Sequence, residues 1–171
     1  MRRAVRARLV TLTVLALLGV TMTACGDPKV SSEKGAEDTA ASRAAVEDAA
    51  RSLAAVAAEV GLDLAPLAGS WSVCTVEPPS MEYSAGGSAK PTGSTAEAIA
   101  ALTDALEAEG WTVENAGTTP RPYGVLTRDD LRATIGESRR HPGEVDAGVG
   151  GPCVDTTKEQ DELLGEKYEI S

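Results

Sequence analysis

The chain has 171 residues, with 16 basic and 26 acidic side chains and a formal net charge of −10. So acidic a balance disfavours nucleic acid and anionic headgroups as partners. With no Phe, two Trp and three Tyr, much of the apolar content is alanine, which buries little area, so the core is modest and a covalent staple is useful.

Residues 1–24 carry Arg2, Arg3, Arg6 and Arg8 and no acidic residue. An apolar run from Leu9 to Val20 follows, then small residues up to Ala24. A positive stretch, a short apolar stretch and a small-residue end are the layout of an export signal. The apolar run falls short of the roughly 20 residues that a stable membrane span needs. Arg2-Arg3 raises the twin-arginine export route, though nothing after the pair strengthens it.

Met22-Thr23-Ala24-Cys25 closes this segment and resembles a bacterial lipobox, with Met where Leu is usual. The resemblance implies a diacylglycerol thioether on Cys25, which becomes the new N-terminus and holds the chain to the extracytoplasmic face of the cell membrane. Four of the 16 basic residues leave with the signal, so the remainder holds 12 against 26 acidic ones, net −14.

Cys74 and Cys153 remain. In an oxidising extracytoplasmic space, two leftover cysteines read as one disulfide. The alternatives are a reactive thiol pair or a zinc site. Zinc takes about four ligands, and His141 is the one histidine in the chain.

In chain order, residues 25–41 are small, polar and charged and read as a flexible tether. From Ser42 to Val60, the stripe Val46, Ala49, Leu53, Val56 and Val60 predicts a helix ended by Gly61. Trp71 to Val76 reads as a strand, Met81 to Ala85 as a short returning one around Tyr83, and 86–93 as a Gly- and Ser-rich loop. Ser94 and Glu97 form a capping box before a second helix, which Gly110 ends, with Trp111 placed to contact Leu106. Trp111 to Val113 starts the next strand. Tyr123–Arg128 and Leu131–Ile135 make a hairpin around Asp129-Asp130, and Val145, Ala147 and Val149 alternate in a last strand. Residues 156–171 read as a charged tail.

This order predicts an α+β two-layer sandwich: two helices packed on one face of an antiparallel sheet of about four to five strands, within a domain spanning 42–155. The alanine-rich composition, Trp71 to Cys74, the helix from Ala96 to Trp111, the hairpin from Tyr123 to Ile135 and the late Cys153 resemble small actinobacterial, Streptomyces-like cell-envelope lipoproteins. The resemblance implies a place in the cell envelope and brings no activity with it.

No catalytic or cofactor pattern stands out, and no metal site or cofactor is expected. Ser31-x-x-Lys34 lies in the expected tether without partner motifs. His141 stands beside Arg139 and Arg140 with no positioned nucleophile, and Asp129-Asp130 are turn formers. The acidic run from Glu159 to Glu169 lacks the calcium-loop pattern. The expectation is a non-enzymatic lipoprotein that binds a protein or a cell-wall component. Two candidate surfaces are Tyr83 with the 86–93 loop, and the 116–123 loop with Arg121 and Tyr123. The alternative is a carrier holding a small or lipidic ligand between helices and sheet.

Overall fold

The computed structural model describes residues 30–171. The export signal, Cys25 and the first part of the expected tether lie outside the described residues. The first helix, α1, spans Ser32–Glu59 and starts ten residues earlier than its apolar stripe indicates. Its extra turns are capped by Ser31, whose side chain accepts from the Lys34 N–H at 3.2 Å. They pack through small residues rather than aliphatic ones. Gly35 meets the amide of Gln160, and the buried Thr39 hydroxyl donates to the Gly35 carbonyl at 2.9 Å. Such contacts leave no hydrophobic periodicity in the sequence, which is why the expectation of a tether through 41 fails and residues 32–41 are helix.

Strands β1 (Leu67–Val76) and β2 (Pro79–Ala89) form a long hairpin. Residues 86–89, expected in a loop, are part of β2. They pair with Val145–Gly148 on one side, and Gly86 also pairs with Ala68 on the other. The ladder with β6, two-sided at Gly86, outweighs the weak strand preference of Gly and Ser. Helix α2 (Thr95–Ala108) follows. The Ser94 side chain accepts from the Glu97 N–H at 3.2 Å, and the Glu97 carboxylate closes the cap on the Ser94 hydroxyl at 2.9 Å. At the other end Gly110 takes φ +88°, and the Trp111 N–H returns to the Leu106 carbonyl at 3.0 Å, the Schellman closure expected there.

The chain continues through β3 (Thr112–Gly117), β4 (Tyr123–Arg128), β5 (Leu131–Glu137), β6 (Val145–Gly150) and β7 (Val154–Asp155). A 3-10 helix over Lys158–Leu163 leads to β8 (Tyr168–Ile170). The sheet has eight strands, not four to five, in the order β3-β4-β5-β6-β2-β1-β8, with β7 on β2. Every paired strand is antiparallel. Part of the difference comes from residues 156–171, which are not a tail: β8 pairs with Leu67–Gly69 of β1.

Buried residues alternate with exposed ones along the strands. Met81, Tyr83 and Ala85 on β2, Leu126 on β4, Ala133 and Ile135 on β5, and Val145, Ala147 and Val149 on β6 are all buried. Both helices pack on this face, α1 over β2 and β6 and α2 over β4 and β5. Leu53, Ile99, Leu102 and Leu106 complete the core from the helix side. The opposite sheet face has no helix on it among the described residues. Cys74 and Cys153 form a disulfide with Cα atoms 6.2 Å apart, closing a separation of 79 residues.

Candidate ligand-binding groove

The bare sheet face forms a groove of about 920 Å³. Its floor follows from the strand register. Reading across β5, β6, β2 and β1, one row holds Thr134, Gly148, Gly86 and Ala68, and the next holds Arg132, Gly150, Ser84 and Ser70. Gly136, Asp146 and Ser88 make a third. An uncovered sheet face ordinarily carries long polar side chains that shield the backbone. Here the side chains are mostly hydrogen, methyl or hydroxymethyl. Glycine inside a strand weakens it and marks a place where another backbone or a ligand comes close.

Two of these glycines have a structural reason of their own. A Cβ on Gly148 would lie 2.8 Å from the Ala85 carbonyl oxygen, and Gly86 is tighter still. A Cβ on Gly86 would fall on the Ala147 carbonyl oxygen and 2.6 Å from the Gly148 Cα, so β2 and β6 meet too closely for a side chain there. No such backbone collision faces a Cβ at Gly136 or Gly150. At Gly136 the nearest atom would be 3.8 Å away, and at Gly150 the obstacle is the Glu82 carboxylate, which lies over it.

Charges of both signs line the groove: Arg132 and Asp146 in the floor, and Glu82, Glu137, Arg139 and Arg140 around it. Glu82 stands at one end, close to the disulfide, and the β5–β6 turn brings Arg139, Arg140 and His141 to the other. Within that turn the Ser138 hydroxyl accepts the His141 N–H at 3.2 Å. Arg132 is paired with Glu114 at 3.2 Å, both half-exposed. The ligand atoms of Cys74, Cys153 and Glu82 lie within 4.8 Å of one another. The two sulfurs are committed to each other in the bridge, so this trio presents no thiolate to a metal in the oxidised chain.

The expected binding residues divide. Arg121 is exposed in the loop before β4, and Tyr123 is half-buried, its hydroxyl donating to the Asn115 side-chain oxygen at 3.2 Å. Tyr83 is no surface residue: it is fully buried under α1. Its hydroxyl donates to Glu47 at 3.1 Å, and its ring meets Trp71 at 5.1 Å and Tyr168 at 5.9 Å. Gly69 leaves room for it, because a side chain there would collide with the Tyr83 ring. Alternation within β2 would assign Tyr83 to the same face as Met81 and Ala85, and that signal outweighs a general preference of tyrosine for interfaces.

This aromatic cluster fastens the C-terminal segment. The Arg43 guanidinium lies 3.7 Å from the Tyr168 ring centre and donates to Glu47 at 2.7 Å, and Arg51 donates to the Ser171 carbonyl at 3.1 Å. Burial, with the hydrogen bond to Glu47, pushes the Tyr83 phenol up to about 12. Burial alone would raise the Glu47 carboxyl, but hydrogen bonds from Arg43 and Tyr83 outweigh it and hold the carboxyl below its ordinary value. A second cleft of about 440 Å³ lies between α1 and the 3-10 helix, over Trp71. Arg43, the one cation lining it, is already engaged by Glu47 and Tyr168. The open-face groove is therefore the stronger candidate.

Residues 38–171 match the family model described as "Putative lipoprotein LppJ". The chain belongs to the LppJ family. The match takes in the whole sheet, both sides of the groove and the C-terminal segment, and begins inside α1. Membership in a lipoprotein family suggests an extracytoplasmic, membrane-associated protein. Among the described residues no helix is long and apolar enough to cross a membrane. No curated protein and no solved structure matches the chain.

Proposed function

We propose that this LppJ-family chain is a non-enzymatic interaction module, anchored by lipid on Cys25 to the outer face of the cell membrane, and that it acts through the bare face of its sheet. The observation that carries the reading is the groove floor: nine of eleven positions on four strands hold Gly, Ala, Ser or Thr where a solvated sheet would hold larger side chains. The reading of Cys25 rests on the sequence around it and on the lipoprotein family. A carrier would need an apolar chamber between the layers, and that space is packed by Tyr83, Leu102, Leu126 and Val145, each essentially inaccessible. Nothing at the groove pairs a nucleophile with a base, and His141 is exposed on the rim.

The anchor is tested by Cys25→Ala. The variant should lose the mass of the acyl groups and move from the membrane to the soluble fraction; an unchanged mass and partition would end the lipoprotein assignment. The groove is tested by Ser84→Trp combined with Thr134→Trp, two exposed positions whose indoles would fill it. Retention of the domain on isolated cell envelopes should fall at least tenfold, with melting unchanged. Equal retention of the filled variant would remove the groove from consideration.

A further inference from the structure

The large apolar side chains left exposed among the described residues are two valines, and both lie at one end of the sheet. Val73 is 50% exposed and Val76 83%. They stand near the tip of the β1–β2 hairpin, which turns at Glu77-Pro78. Pro78 is exposed beside them. The tip has few unmet polar groups. Pro78 and Pro79 carry no N–H. The Thr75 hydroxyl donates to the Pro78 carbonyl at 2.6 Å, and the Ser80 hydroxyl lies 2.7 Å from it. Glu77 is the one charged residue between Leu67 and Met81. A turn that satisfies its own polar groups loses less on leaving water.

This end of the sheet is also where the chain arrives from Cys25. The Thr156 N–H donates to the Pro79 carbonyl at 3.0 Å. The Gln160 side chain accepts from the Thr157 N–H at 2.9 Å and donates to the Ser32 carbonyl at 3.5 Å. Ser32 opens α1, so the start of the helix and the hairpin tip are joined through residues 156–160. Cys25 lies five residues before Val30, and at about 3.5 Å per residue that stretch reaches at most about 18 Å. A lipid on Cys25 therefore keeps the bilayer close to the tip. The turn with Arg139, Arg140 and His141 is at the opposite end: Val145, just after it, pairs with Ala89. Nine residues of β2 separate Ala89 from Ser80, roughly 30 Å of strand.

We infer that the β1–β2 tip is a second membrane contact, with Val76 and Pro78 seated at the headgroup–acyl boundary of the bilayer that holds Cys25. The inference rests on lipidation of Cys25. Two valines do not hold a free domain on a membrane, but the short connection keeps the tip at an effective concentration on the order of millimolar beside it. A protein partner would find few hydrogen-bonding groups at this turn, whereas hydrocarbon asks for none. Burial at that boundary is about 5–10 Å deep, which takes in the turn and leaves the sheet outside. Strand β2 then runs outward from the bilayer and carries Arg139 and Arg140 away from it. Glu77, next to Val76, is repelled by anionic headgroups, so a zwitterionic lipid is the proper probe.

The full lipidated chain, isotope-labelled, is placed in phosphatidylcholine nanodiscs that contain a lipid with a nitroxide near the top of its acyl chain. Paramagnetic broadening of the Thr75, Val76 and Glu77 amide signals should exceed that of Arg139, Arg140 and His141 at least fivefold. Val76→Asp should remove this excess while the chain still copurifies with the discs, and its amide spectrum checks that it is folded. Even broadening over the two ends, or an excess that Val76→Asp leaves intact, overturns the tip contact and leaves the anchor standing. A chain that does not copurify with the discs fails at Cys25 instead, and the tip contact falls with it.

Discussion

The two faces of one sheet have been built for different ends. On the covered face β2 presents Met81, Tyr83 and Ala85, and on the open face it presents Glu82, Ser84 and Gly86. These residues alternate within a single hexapeptide and share one backbone ladder. The covered face gains from every apolar atom it buries, at about 25 cal/mol per Å², and its one phenol is hydrogen-bonded. The open face leaves its area in water and, apart from Arg132 with Glu114, shows no ion pair among the described residues. Stability and the proposed recognition are thereby assigned to opposite faces by the strand period of two, so a substitution is expected to damage one without the other.

The separation can be broken most heavily at the disulfide. Cys74→Ser with Cys153→Ser removes a closure of 79 residues, for which chain entropy gives a loss of about 4 kcal/mol. Urea titration should show the midpoint falling accordingly. Leu102→Ala, on the helix side of the core with no exposure, should cost about 3 kcal/mol and leave binding at the groove unchanged. Gly86→Ala tests the exception: it lies on the open face, yet its Cβ meets the backbone of β6. Overpacking there should cost about 2 kcal/mol, an effect the mere exposure of the face would not produce.

Tyr83→Phe should cost about 1 kcal/mol by removing the bond to Glu47, and it should also change the pH profile. The phenol titrates near 10 in the unfolded chain and about 12 in the folded one. Between these values the folded state holds more protons, so stability falls as pH rises from about 10 to 12. The phenylalanine variant should lose that alkaline limb. Glu47 has the opposite sign: its lowered carboxyl stabilises the fold above the unfolded value, and the contribution is lost as pH falls through the folded one. Smallest of all, Ser84→Trp with Thr134→Trp should change stability by no more than about 0.5 kcal/mol, measured by thermal melting.

Local signals carried far along this chain. The capping residue Ser94 and the Gly110-Trp111 stop lie where the second helix begins and ends, because caps are made by groups a few residues apart. The same holds for the Asp129-Asp130 turn, with Asp129 at φ 54°. The alternation in β4, β5 and β6 names their buried residues for the same reason. Sequence reasoning failed where partners are distant. Ser32 to Ala41 has no apolar stripe, since its cover is Gln160, more than a hundred residues later. Residues 86–89 resemble a loop until β6 pairs with all four and β1 pairs with Gly86 on the other side. Tyr168 has nothing local to pack on and joins the fold through Arg43 and Tyr83.

By itself, then, the sequence pointed to the class and the covalent frame: an α+β domain with two cysteines left to pair, behind a segment that resembles an export signal and lipobox. It also determined which side of each strand is apolar, because burial with a period of two is written residue by residue. The groove was decided by tertiary structure alone. Gly136, Gly148 and Gly86 mean little in isolation, and Glu82 and Arg139 lie 57 positions apart. The antiparallel register, a sum of contacts between strands distant along the chain, sets those glycines side by side. It also brings Glu82, Arg132, Asp146 and Arg139 to one face.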